Sequence, residues 1–105
     1  MENIEVKEIQ TIKKYFKEGM MADLSAGGLK FTCGENININ QMLLLVFNIK
    51  DVSLFIKGTI LYKEISITPK KILYIYGIKF IDINEKQREI IISFLFVLMR
   101  KNRLR

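Results

Sequence analysis

The first 83 residues form a succession of short apolar segments separated by glycine, proline, asparagine and aspartate, and this feature most limits the fold. Residues 4–9 read Ile-Glu-Val-Lys-Glu-Ile, which is the period-two alternation of a half-buried strand. The same pattern predicts strands near residues 3–10, 14–23, 29–33, 42–49, 52–64 and 72–82. We therefore expect a mainly antiparallel β structure.

Several details of these strands are predicted as well. The stretch 42–49 is almost continuously apolar, which is typical of a strand buried on both faces, and Lys50-Asp51 is the natural hairpin connection after it. Gly19 and Gly58 interrupt two strands, where a glycine often marks a β-bulge.

One helix is expected after the strands. Asn84 has the character of an N-cap, Gln87 stands in the capping-box position, and Glu85 suits the positive end of the helix dipole. The helix should cover residues 85–102. The chain therefore reads as a single domain, residues 1–105: an all-β barrel or sandwich with one C-terminal helix.

Composition excludes several kinds of chemistry. The chain has no histidine and one cysteine, Cys33, so it offers no Cys/His zinc set, no histidine base and no internal disulfide. We expect no catalytic residues and no metal, and Cys33 is interpreted as a buried thiol. The 17 Lys+Arg against 11 Asp+Glu give a net charge of +6, which favours anionic partners.

Nothing in the sequence predicts secretion or membrane insertion. The first dozen residues lack an apolar signal-peptide core, and the longest apolar run, residues 90–99, is too short to span a bilayer as a helix. Together with the unpaired cysteine, this predicts a cytoplasmic protein.

The turn Asp23-Leu24-Ser25-Ala26-Gly27-Gly28 is the motif that offers binding chemistry. A carboxylate accepts hydrogen bonds from a guanine edge, a hydroxyl donates to phosphate or base oxygens, and glycine permits positive φ and close approach of a ligand. The same residues also make an ordinary turn, because Asp and Ser bond their own backbone.

The turn fits the pattern Asp/Asn-x-Ser-x-x-Gly, and it is followed in order by Phe55-Ile-Lys-Gly-Thr-Ile, Tyr76-Gly-Ile-Lys-Phe and Asn84-Glu-Lys-Gln-Arg. In this ordered set the chain resembles a PilZ domain. The resemblance implies a six-stranded antiparallel β-barrel closed by the C-terminal helix. It also implies a receptor for the bacterial second messenger cyclic di-GMP, with no enzyme activity and no cofactor, that regulates behaviours such as motility through a partner. Asp23, Ser25 and Gly28 are then the ligand-binding residues.

The sequence departs from the family at the second signature, Arg-x-x-x-Arg, which binds phosphates and stacks on guanine. It contains no arginine before Arg88. Lys13 and Lys17 repeat the spacing and are expected to make weak phosphate contacts at most, because lysine lacks the planar fork of arginine. Either the chain is a fragment of a longer protein that carries the arginines, or it is a variant that works through protein contacts.

The C-terminal helix is the second candidate for function, because nine of the ten residues in 90–99 are apolar. Ile91, Leu95 and Leu98 can form the inward stripe. The remaining apolar residues form a predicted interaction face that comprises Phe94, Phe96, Val97 and Met99. The alternative function is accordingly a PilZ-like module that binds no nucleotide and associates with itself or a protein partner through this helix. Its basic tail, residues 100–105, makes an anionic membrane surface a further partner, whereas nucleic acid is not expected because the tail lacks interleaved aromatics.

Overall fold

In a computed structural model, the backbone is described for residues 2–9 and 14–103 and the side chains for residues 19–100. The elements are β1 Glu2–Ile9, β2 Lys14–Ala22, β3 Gly28–Cys33, β4 Met42–Ile49, β5 Val52–Ile67, β6 Ile72–Ile81 and the helix α1 Glu85–Arg103. The prediction of a mainly β chain with one C-terminal helix is confirmed, and each predicted strand overlaps an observed one.

The strands form one curled antiparallel sheet. Their hydrogen-bonded order is β1-β2-β3-β6-β5-β4, and pairing of β1 with β4 closes it into a barrel. The ladders are unequal in length: β5 and β6 pair from Lys57 to Ile67, whereas β2 and β3 pair only from Met20 to Ala22. Beyond Thr59, β5 pairs with β6 but not with β4.

Alternating residues of the strands fill the barrel. The described core comprises Met21, Leu29, Phe31, Cys33, Ile37, Leu43, Leu45, Phe47, Ile49, Leu54, Ile56, Ile60, Tyr76, Ile78, Phe80 and Ile91. Cys33 is buried among them, as predicted. The expectation that β4 is buried on both faces is wrong. Leu43 and Leu45 are fully buried, but Leu44 and Val46 are only half-buried. The reason is that one face of each strand in a closed sheet points outward.

Both glycines predicted as bulges lie in regular ladder positions. Gly19 pairs with Ile4, and a Cβ there would come within 2.6 Å of a Phe31 ring carbon. Gly58 pairs with Phe80, and its Cβ would lie 2.6 Å from the side chain of Ile78. The bulge predictions are therefore wrong, since both positions need glycine for close packing rather than for an extra residue.

The actual irregularity lies in β5 between Ile60 and Tyr62, where the register against β6 shifts by one residue. Ile60 points into the core, and Leu61, beyond it, is 61% exposed. After the bulge Tyr62 pairs with Gly77 on the outer face of the sheet.

The start of α1 agrees with the capping-box prediction. The Gln87 N–H donates to Asn84 Oδ1 at 2.8 Å, and the Asn84 N–H donates to Gln87 Oε1 at 3.2 Å. Gln87 Nε2 also donates to the Phe55 carbonyl at 2.9 Å, which ties the helix to β5. Ile91 is completely buried, so α1 packs its inner face on the barrel.

The outer face of α1 differs in part from the prediction. Leu95 packs against the core as expected, but Leu98 is 40% exposed, and Phe94, which the sequence placed outside, packs half-buried against the core. Within the described part of the chain, no helix is both long enough and apolar enough to cross a membrane.

Candidate nucleotide site

The turn between β2 and β3 lies at one edge of a shallow cavity on the outer face of the sheet. Ser25 N–H donates to the Gly28 carbonyl at 2.9 Å, and Phe80 N–H donates to the Gly27 carbonyl at 2.9 Å. The first bond closes the turn and the second fastens it to β6. The turn is therefore held in a fixed position relative to the strands that form the rest of the cavity.

The Ser25 hydroxyl makes three hydrogen bonds within this turn. Its Oγ accepts from the N–H groups of Gly27 and Gly28 and donates to the Gly28 carbonyl, each at 3.2 Å. A hydroxyl has one donor and two acceptor sites. A ligand would therefore have to replace one of these long, exposed bonds to contact Ser25.

Asp23 is the residue of this turn with a left-handed backbone conformation. Its φ is 48°, in the left-handed region, while no glycine among the described residues has a positive φ. Gly28 is needed for another reason: a Cβ there would overlap the carbonyl oxygen of Ile78 on the neighbouring strand. Its role in this structure is close packing of the turn against β6.

The Asp23 carboxylate lies beside the ammonium of Lys30, with Oδ2 and Nζ 3.4 Å apart. Both side chains are exposed. The hydrogen bond to Asp23 raises the pKa of Lys30, and the nearby Tyr62 adds to this rise. Lys30 is therefore fully charged at neutral pH, and the exposed carboxylate has a cation next to it.

The cavity has a volume of about 310 Å³, and eleven residues line it: Asp23, Ser25, Gly27, Gly28, Leu29, Lys30, Leu61, Tyr62, Gly77, Ile78 and Lys79. Glycines make up part of its floor, and lysine, aspartate and tyrosine stand around them. At Gly77 no side chain fits, because the ring of Tyr62 occupies the place where a Cβ would lie. The result is an open surface with cationic, anionic and aromatic groups together.

The structure thus brings Asp23, Ser25 and Gly28 together around one cavity. The two lysines predicted as weak phosphate contacts cannot be placed: Lys13 lies outside the described residues, and for Lys17 only the backbone, paired with Val6, is described. Sequence reasoning missed Lys30, Tyr62 and Lys79 as cavity residues. Lys79 belongs to a segment that supported the family resemblance, but only the strand register shows that it faces this cavity.

The predicted interaction face on α1 is only partly exposed. Phe96 and Met99 are 61% and 56% exposed, whereas Val97 is half-buried and Phe94 packs on the core. Ile92, which the sequence did not single out, is 36% exposed. Because Ile92, Phe96 and Met99 follow the i, i+4, i+7 spacing, they form one exposed stripe, called the outer stripe below.

Together, the curled antiparallel sheet, the C-terminal helix and the cavity at the Asp23 turn define a small β-barrel domain with a surface cavity. Residues 4–97 match the PilZ domain family, and the chain belongs to that family.

Two solved structures of MrkH from K. pneumonia share the fold. The first has a TM-score of 0.77 and 12% sequence identity over 100% of this chain and 48% of that one. The second, in its apo state, has a TM-score of 0.76 and 12% identity over 98% of this chain and 49% of that one. The chain therefore spans about half the length of both MrkH structures. No curated protein sequence matches it significantly.

Proposed function

We propose that this PilZ domain is a cyclic di-GMP receptor of bacterial signalling, without enzyme activity, that acts in the cytoplasm on outputs such as motility. The observation that carries the proposal is the cavity in which the Asp23 turn meets Lys30, Lys79 and an aromatic ring. A cyclic dinucleotide presents flat bases, polar base edges and anionic phosphates. The cavity has a group suited to each of these parts.

In this proposal Asp23 accepts hydrogen bonds from a guanine edge. Its carboxylate is 70% exposed and faces the cavity, so a ligand can reach it without displacing the core. Ser25 and Gly28 contribute mainly by holding the turn, through the Oγ bonds and the tight approach to β6. Lys13 and Lys17 remain proposed further phosphate contacts.

Replacing Asp23 with alanine tests this function by calorimetric titration with cyclic di-GMP. A lost charge-assisted hydrogen bond costs roughly 1.5–3 kcal/mol, so binding should weaken by about 10- to 100-fold. Asp51→Ala is the matched control, because Asp51 is also an exposed aspartate with positive φ, 67°, but lies outside the cavity. Absence of heat with the unchanged protein at high ligand concentration would reject the proposal.

The outer stripe of α1 supports a second candidate function, a protein-interaction module that associates through its helix and binds no nucleotide. Three exposed apolar side chains in one row, with Leu98 40% exposed nearby, are unusual on a helix that already packs its other face on a barrel. The buried face of α1 packs against the core of the barrel. The outer stripe is therefore available to a second copy or another protein.

Sedimentation velocity of the Phe96→Ser, Met99→Ser variant tests this second candidate. If the stripe drives self-association, the unchanged protein sediments faster as its concentration rises and the variant remains a monomer. Ile67→Ser is the control, since Ile67 is 75% exposed at the far end of β5. A protein that stays monomeric at high concentration would count against self-association, and stripe-dependent retention on anionic vesicles would instead indicate a membrane partner.

A further inference from the structure

We propose that Lys30 and Lys79 form a phosphate-binding subsite in the Asp23 cavity. This inference rests on the proposed function, because it assigns the phosphates of the same ligand. Lys30 lies on β3 and Lys79 lies on β6.

The strand register places the two lysines on one face. In the β3–β6 ladder Lys30 pairs with Gly77, and Gly28 pairs with Lys79. Paired residues point to the same face of an antiparallel sheet, and diagonal neighbours lie roughly 7–8 Å apart. The two ammonium groups can therefore reach one phosphate together, or the two phosphates of a cyclic dinucleotide separately.

The residue paired with each lysine across the β3–β6 ladder is a glycine, Gly77 for Lys30 and Gly28 for Lys79. Neither Gly28 nor Gly77 can carry a side chain, because of the Ile78 carbonyl in one case and the Tyr62 ring in the other. At Gly77 the Tyr62 ring fills the place of the missing side chain, so a ligand beside Lys30 would lie against this ring. The Tyr62 ring adds an aromatic surface next to Lys30, on which a base can stack.

In this structure Lys30 forms an ion pair with Asp23. The atoms are 3.4 Å apart and exposed, so the pair is weak and easily exchanged. When the carboxylate turns to a guanine edge, the ammonium is released to a phosphate oxygen. Lys79 also lines the cavity, so two lysines stand there beside one carboxylate.

Calorimetric titration with cyclic di-GMP at low and moderate salt, using Lys30→Ala, Lys79→Ala and Lys70→Ala, tests the subsite. Lys70 lies in the β5–β6 loop, outside the cavity, so its variant loses the same charge without losing the contact. We expect affinity to fall roughly three- to tenfold for each cavity lysine and to stay unchanged for Lys70→Ala. Added salt should weaken ligand binding by the unchanged protein more steeply than binding by either cavity variant. Lys30→Arg should bind at least as tightly as the unchanged protein, since a guanidinium grips phosphate in two places.

The outcomes separate this inference from the proposed function. Binding by the unchanged protein together with equal affinities for all three alanine variants would overturn the subsite and leave the receptor standing. Tighter binding by Lys30→Ala would show that Lys30 only blocks Asp23, and would also overturn it. No binding by the unchanged protein would remove the receptor and the subsite together.

Discussion

At the scale of single residues, the Asp23 turn separates two roles that the motif combines. Ser25 and Gly28 hold the turn, by hydroxyl bonds to backbone N–H groups and by packing against β6. Among these three motif residues, Asp23 is the one that presents an exposed charged group to the cavity. Substitutions at Ser25 and Gly28 should therefore affect binding indirectly, through the turn, and those at Asp23 directly.

Tyr76 pins the loop before β4 to the core. Its buried hydroxyl accepts from the Ile37 N–H at 2.7 Å and donates to the Glu35 carbonyl at 2.6 Å. Tyr76→Phe leaves both groups without this partner, so the free energy of unfolding should fall by about 1–3 kcal/mol. Urea denaturation measures this, and Tyr74→Phe, a half-buried neighbour, is the control.

Burial also raises the pKa of Tyr76 above its ordinary value near 10. Above that pH the unfolded chain loses the tyrosine proton before the folded chain does, so the folded state holds more protons and stability falls as pH rises. Stability should be unaffected by this group below pH 10. As pH rises above 10 the decline should be less steep in Tyr76→Phe, and equal slopes would contradict the assignment.

At the scale of elements, the β4–β5 hairpin turn lies where the sequence predicts it, but its two residues are unfavourable for the turn type. Ile49 pairs with Val52 across two residues, Lys50 and Asp51, whose φ values are 46° and 67°. Positive φ at both positions defines a type I′ turn, which favours Asn-Gly.

Replacing Lys50-Asp51 with Asn-Gly should therefore stabilise the protein. Relief of left-handed strain exceeds the added freedom of glycine in the unfolded chain, so we expect a gain of about 0.5–1 kcal/mol in unfolding free energy. Thermal and urea denaturation give the measurement. A loss of stability would mean that the Lys50 or Asp51 side chain makes a favourable contact of its own.

The order of strands and helix was predictable because it depends on local signals, although β5 extends to Ile67, three residues beyond its predicted end. Alternating residues, the Lys50-Asp51 turn and the Asn84–Gln87 capping box each act within a few residues of themselves. Which side chains of β5 point outward was not predictable from the sequence. The bulge after Ile60 reverses the inward and outward alternation, and no glycine marks its position. Tyr62 therefore reaches the cavity by a register shift that only the paired strand specifies.

The helix shows a different limit. Nearly every residue of 90–99 is apolar, so the helical period does not distinguish the buried face from the exposed one. Packing against the barrel determines which face is buried. Phe94 packs on the core, while Leu98 lies outside it. Similarly, the Lys30–Asp23 pair depends on the geometry of the turn between β2 and β3, which residue types alone do not determine.

At the scale of the whole molecule, the two candidate surfaces are separate. The cavity is formed by the Asp23 turn, β3, β5 and β6, and among the described residues none of α1 lines it. The outer stripe lies on α1, which is anchored through Ile91 and the Gln87 bond to Phe55. Nucleotide binding and helix association can therefore be measured independently in one protein.

The central claim is that cyclic di-GMP binds at the Asp23 cavity, and backbone amide NMR during titration with this ligand tests it most directly. The account predicts chemical-shift changes concentrated at residues 23–30, 61–62 and 77–79, and none along the outer stripe of Ile92, Phe96 and Met99. An unchanged spectrum at high ligand concentration, or changes confined to α1, would contradict it.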